Sequence, residues 1–169
     1  MIREFPFIEG AVSGFHGKLM FDTGARDAIT VNSHNVLPEV GTTVGTGFFG
    51  SGQTFDIQIL PEIADVKIGG LDFPSATNVM SQDARQLERI TPDFIGWVGY
   101  QFFADHAFKL DYQNAKVTFF AAGAEGYLDQ ERIAADLAFT TRRLPNHPIM
   151  SGSVGDLAII AAWDTGQQG

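Results

Sequence analysis

The chain has 169 residues, 44% apolar and 18% charged, with a formal net charge of −9. That length fits one domain, or one and part of a second, and the composition suits a packed core rather than a disordered chain. The acidic balance argues against nucleic-acid and anionic-membrane partners, since Arg142-Arg143 is the densest basic feature, and the lack of cysteine excludes disulfides, thiol nucleophiles and zinc-thiolate sites.

The 19 glycines separate short runs rich in Phe, Ile and Val, which predicts an all-β protein. Residues 5–22 predict two strands and a turn. Phe7-Ile8 and Ala11-Val12 flank Gly10, Gly14 and Gly17 bracket the turn, and Lys18-Leu19-Met20-Phe21 runs into Asp22. Ile29-Thr30-Val31-Asn32 is β-branched and strand-like. Residues 41–54 carry five glycines and predict a Gly-rich hairpin. Residues 55–60 and 64–68 each alternate apolar with polar, predicting two half-buried strands. Gly69-Gly70 turns the chain into Leu71-Asp72-Phe73, and Asn78-Val79-Met80 predicts another short strand.

Residues 82–90 predict a helical turn with Ser81 as N-cap. The stretch from Phe94 to Gly99 is apolar and Gly-interrupted, and Phe102-Phe103 predicts a short helix. Residues 108–112 and 116–120 predict a hairpin about Gln113-Asn114, closing a first domain over residues 1–121. Residues 122–147 predict a linker with a helix over 129–137, and Pro145 and Pro148 mark its exit. No run of about 18 apolar residues occurs, so no membrane span is expected. A leader cut from the natural protein would leave no trace, so periplasmic or secreted placement stays open.

Shifted by 142 residues, the chain matches itself without gaps. Pro6 meets Pro148, Gly10 meets Gly152 and Val12 meets Val154, while Asp22-Thr23-Gly24 meets Asp164-Thr165-Gly166. Residues 148–169 therefore predict the opening hairpin of a second, truncated lobe. A given tripeptide arises by chance about 0.02 times in a chain this long. Two copies, each after an apolar strand and at matching places, set Asp-Thr-Gly apart from an ordinary Asp-Gly turn.

Two carboxylates a few ångströms apart cannot both ionise cheaply, so they share a proton. One then acts as base toward water and the other as acid toward a leaving group. A Thr hydroxyl can fix such a pair across a junction, and Gly permits the close backbone approach.

Three segments carry a family likeness. These are Leu19-Met20-Phe21-Asp22-Thr23-Gly24-Ala25, then Val66-Lys67-Ile68-Gly69-Gly70-Leu71, then Gly96-Trp97-Val98-Gly99-Tyr100-Gln101-Phe102-Phe103 followed by Lys109-Leu110-Asp111-Tyr112. Over most of residues 5–121 the sequence resembles the retropepsin-like aspartyl proteases, bacterial members especially. The resemblance implies a closed acid-protease barrel with one or two short helices and no cofactor. It implies hydrolysis of peptide bonds in extended polypeptides, with Asp22 catalytic, Thr23, Gly24 and Ala25 forming its loop, and Trp97-Val98-Gly99 packed beside that loop. It further implies a second lobe or a homodimer partner to complete the aspartate pair. Through the repeat, Asp164 with Thr165 and Gly166 is the candidate second half. There the family's small residue after the Gly is replaced by Gln167. The alternative is an inactive module of this fold that binds peptide or dimerises.

Gly45-Thr46-Gly47-Phe48-Phe49-Gly50 matches G-x-G-x-x-G, but no helix start follows it, as a dinucleotide site requires. It reads instead as a flap in which Gly47, Phe48, Phe49 and Gly50 contact substrate, or as a plain surface hairpin. His16, His34, His106 and His147 lack metal-ligand spacing, and no Ser lies in a nucleophile elbow.

Overall fold

The computed structural model describes residues 1–36, 41–48, 52–104, 107–120 and 148–166. The chain enters through β1 (Phe7–Val12) and β2 (Phe15–Phe21), paired antiparallel from Phe7↔Met20 to Val12↔Phe15. Ser13 and Gly14 form the turn, both at positive φ, as a tight two-residue hairpin needs. Gly17 therefore lies within β2 rather than at the turn.

The other strands are β3 (Ile29–Asn32), β4 (Thr42–Phe48), β5 (Thr54–Ile68), β6 (Leu71–Gln82) and β7 (Phe94–Val98). They form one sheet in the order β1-β2-β7-β3-β6-β5-β4, and β5 also pairs with β1. That last pairing closes six strands into a barrel and leaves β4 outside it as an edge. The fold is thus all-β, as the glycine-punctuated sequence led us to expect, and a closed barrel, as the resemblance implied. Two further hairpins stand apart, β8 (Ala107–Asp111) with β9 (Lys116–Phe120), and β10 (Ile149–Val154) with β11 (Leu157–Ala162).

The two alternating segments at 55–68 are one strand. Pro61 falls between the pairs Leu60↔Val79 and Glu62↔Thr77, opposite Asn78 at φ 54°. Pro74 falls likewise between Ala64↔Ser75 and Val66↔Phe73, opposite Asp65 at φ 48°. Proline cannot donate to a ladder, and Asn and Asp tolerate the left-handed backbone that stands opposite it here, so the pairing resumes in the same register on either side. Sequence alternation alone registers the proline as an interruption. For the same reason Asn78-Val79-Met80 is part of a longer strand.

Ser81 is a buried residue of β6, so it caps nothing. The helical turn is a 3-10 helix over Arg85–Arg89, preceded by Ala84 without a side-chain cap. The short helix α1 spans Tyr100–Phe103. The helix expected over 129–137, and the linker around it, lie outside the described residues.

The barrel interior is aliphatic, with Val12, Leu19, Val31, Leu60, Val66 and Val98 buried together. A second cluster of Phe5, Met20, Ala84, Phe94 and Trp97 packs outside β2 and β7. Asn32, fully buried, ties these parts together. Its Nδ2 donates to the Glu88 carboxylate and the Phe94 carbonyl, each at 3.0 Å, and its Oδ1 accepts from the Ala84 N–H at 3.0 Å. No helix among the described residues is long and apolar enough to cross a membrane.

Candidate active site

Strand β2 ends at Phe21, buried against the rings of Phe103 and Phe108 at 4.8 and 5.0 Å between centroids. Strand β7 runs parallel to it, Phe21 opposite Val98, so Asp22 emerges where two strand ends lie side by side. The Asp22 N–H donates to the Val98 carbonyl at 3.0 Å, and the Tyr100 N–H donates to the Ala25 carbonyl at 2.7 Å. The loop 22–25 is thereby fastened to the β7–α1 junction. Asp22 Oδ1 accepts from the N–H groups of Gly24 at 2.8 Å and Ala25 at 3.1 Å. Asp164 Oδ1 accepts from the Gly166 N–H at 2.9 Å.

Thr23 and Thr165 join the two loops. Each N–H donates to the other's Oγ1 at 3.0 Å. Thr23 Oγ1 donates to the Trp163 carbonyl at 2.9 Å, and Thr165 Oγ1 donates to the Phe21 carbonyl at 2.7 Å. Each threonine's N–H and hydroxyl thus find their acceptors on the other half of the repeat. The glycines allow this approach, since a Cβ on Gly24 would lie 2.5 Å from Asp164 Oδ2, and one on Gly166 would collide with the Asp22 carboxylate. Asp22 and Asp164 are therefore neighbours supplied by a single chain.

Burial foremost, then the negative charge of Asp164, then a hydrogen bond between the two carboxyls, push Asp22 up to about 7. The Gly24 and Ala25 N–H groups act in the opposite direction. Such a pair holds a proton well above the ordinary carboxylate range. No family model, no curated protein and no solved structure matches this chain. What the site can do is accordingly read from its own atoms.

An apolar cavity of about 700 Å³ adjoins Asp164, walled by Tyr100, Phe103, Phe108, Pro148 and Trp163. Among the described residues no group of three or more His, Asp or Glu could hold a metal ion.

The expected site residues divide into four groups. Asp22, Thr23, Gly24, Ala25, Asp164, Thr165 and Gly166 come together. Val98 and Gly99 support the loop through their backbones, with the Gly99 N–H donating to the Ala28 carbonyl at 3.1 Å. Trp97 does not pack beside the loop. Strand alternation turns its side chain into the outer cluster, edge-on to Phe94 at 4.8 Å. Gly47 and Phe48 lie near the end of β4, Phe48 being 75% exposed, and neither lines the cavity beside Asp164. Phe49 and Gly50 lie outside the described residues, as do His106, His147 and Gln167. His34 faces the Glu88 carboxylate, its Nδ1 at 2.7 Å.

Sequence reasoning missed the carbonyls of Phe21 and Trp163 as partners of the threonines, and Tyr100 as the clamp on Ala25. Backbone groups leave no residue-type signal; the repeat offset, which matches Phe21 with Trp163, is a signal that could have found those two carbonyls.

Proposed function

We propose that the chain is an aspartic endopeptidase that hydrolyses peptide bonds in extended polypeptides. One observation carries the reading: Asp22 and Asp164, 142 residues apart, sit carboxyl to carboxyl across a reciprocal Thr–Thr junction, with Asp22 pushed up to about 7. A pair holding one proton suits amide hydrolysis. The ionised carboxylate takes a proton from water as its oxygen attacks the substrate carbonyl carbon. The protonated carboxyl hydrogen-bonds the carbonyl oxygen as negative charge develops there. Collapse breaks the C–N bond, a proton passes to the departing nitrogen, and the products are an acid and an amine.

The substrate is an extended strand laid along β4, which among the described residues pairs with β5 and has no ladder on its other edge. Exposed Phe48 offers that strand an apolar contact.

The test is a peptide-library digest between pH 3 and 7 with the wild-type chain, Asp22→Asn and Asp164→Asn. Cleavage is expected from the wild type, and a drop of at least about 100-fold from either variant. Peptide binding that persists in Asp22→Asn, with no cleavage by any form, would instead identify a non-catalytic peptide-binding module.

A further inference from the structure

The threonine junction is symmetric in its hydrogen bonds but not in what stands behind them. The Phe21 carbonyl, which receives the Thr165 hydroxyl, belongs to a residue that is 0% exposed. The Trp163 carbonyl, which receives the Thr23 hydroxyl, belongs to one that is 58% exposed. Phe21 is seated by a triangle of rings. Its centroid lies 4.8 Å from that of Phe103 and 5.0 Å from that of Phe108, and those two lie 5.2 Å apart. Phe119 adds a fourth ring at 6.1 Å from Phe21. Rings at such spacings fix one another's orientation as well as excluding water.

The corners of the triangle are held differently. Phe21 is fixed by its place in β2, and its N–H donates to the Pro6 carbonyl at 2.8 Å. Phe103 rides on α1, which the Tyr100 and Gln101 N–H groups fasten to the Ala25 and Arg26 carbonyls at 2.7 and 3.2 Å. Phe108 comes from β8, which pairs with β9 and shares no ladder with the barrel. Phe103 and Phe108 also wall the cavity of about 700 Å³ beside Asp164. A smaller side chain at 108 would therefore leave the Phe21 ring room to tilt. Phe21 is bonded directly to Asp22, so a tilt carries the carbonyl used by Thr165 and the Asp22 carboxyl with it. A displacement of about 1 Å is enough to cost a reaction about 100-fold.

We propose that Phe108 is a positioning residue for the aspartate pair: acting through Phe21, its ring holds the Asp22 carboxyl against Asp164. This role rests on reading Asp22 and Asp164 as the active pair, yet their shared proton is measured without cleavage.

The test is a carbon-13 NMR titration of the aspartate carboxyls in the full chain, as wild type, Phe108→Leu, Phe108→Tyr and Phe94→Leu. Phe94 is likewise 0% exposed but belongs to the outer cluster, so it controls for lost packing. The wild type is expected to show one carboxyl titrating at about 7. In Phe108→Leu that midpoint is expected to fall by about one pH unit or more, as the carboxyls separate and Asp22 gains water. Phe108→Tyr keeps the ring and has the cavity for its hydroxyl, so it is expected to keep the midpoint. Phe94→Leu is expected to lower the melting temperature at least as far as Phe108→Leu while leaving the midpoint in place. Phe108→Met, which retains more of the packing, gives the same reading if the leucine variant does not fold. Toward a cleaved peptide, Phe108→Leu is expected to lower kcat about tenfold with KM within about twofold, because the substrate edge on β4 lies outside the ring cluster. An unchanged midpoint in Phe108→Leu, an equal fall in Phe94→Leu, or an equal fall in Phe108→Tyr would overturn the proposal. A wild type with no carboxyl titrating near 7 would remove the pair and the proposal with it. A wild type that has the midpoint but cleaves no peptide would overturn the enzyme reading alone, and the titration would still decide the role of Phe108.

Discussion

The geometry of the site is set by atoms that have no latitude. Gly24 faces the Asp164 carboxylate across a gap in which one methyl group does not fit. Gly24→Ala is therefore expected to force the carboxyls apart and reduce peptide cleavage at least about 100-fold. Circular dichroism should stay that of the wild type, because the barrel core is untouched. Thr23 is 3% exposed, and its hydroxyl both accepts the Thr165 N–H and donates to the Trp163 carbonyl. Thr23→Val removes both bonds and strands two partly buried groups. A loss of about 2 kcal/mol is expected in denaturant unfolding, with Thr23→Ser recovering most of it. The motif residues could be named from sequence because Asp-Thr-Gly occurs twice at one offset. The direction of each hydroxyl could not, since it depends on carbonyls supplied by Phe21 and Trp163, which the code of side chains does not record.

At the scale of elements, one amide on β3 reaches both β7 and the 3-10 helix, beside the β3–β7 ladder and the apolar packing of Leu87. Asn32 satisfies the Ala84 N–H and the Phe94 carbonyl from a fully buried position. Asn32→Ala leaves both without partners and opens a cavity, so about 3 kcal/mol of stability is expected to be lost in urea unfolding. A β-branched run predicted a strand here, and β3 is that strand, but nothing in Ile-Thr-Val-Asn announced a polar hub. Its partners lie 52 and 62 residues away. The same distance effect explains the error at 55–68. Pro61 looks like a strand end until Asn78, on the facing strand, is seen to take the positive φ that lets pairing resume. Trp97 was misplaced for a plainer reason. Alternation fixes that neighbours face opposite ways, but only the assembled sheet says which way leads to the loop.

For the molecule as a whole, pH is the most informative variable. Asp22 is held at about 7 in the folded chain against 3.8 in an unfolded one. Between those values the folded state keeps a proton that the unfolded state releases, so stability falls as pH rises from about 4 to about 7 and then levels off. Asp22→Asn carries no such proton, and the decline in its melting temperature across that window is expected to flatten. Cleavage is expected to fall on the alkaline side as the shared proton is lost near 7. All-β character was legible because glycines punctuate short apolar runs throughout. Barrel closure entered through the family resemblance alone, because it depends on β5 returning to β1 over a sequence separation that no local pattern encodes.

That closure has a mechanical consequence. Nine residue pairs join β5 to β6, whereas two, Gly10↔Ile68 and Ala11↔Lys67, join β5 to β1, flanked by the hydrogen bonds from the Ser13 N–H to the Ala64 carbonyl and from the Gly69 N–H to the Glu9 carbonyl. The wall of the barrel thus has a short clasp, and the hairpin on one side of it is the one that ends in Asp22. Thermal breathing should begin at this seam, with its amides exchanging before those of the β5–β6 ladder. The hairpin that delivers Asp22 is then also the hairpin whose other strand, β1, forms one side of the place where the barrel first gives way.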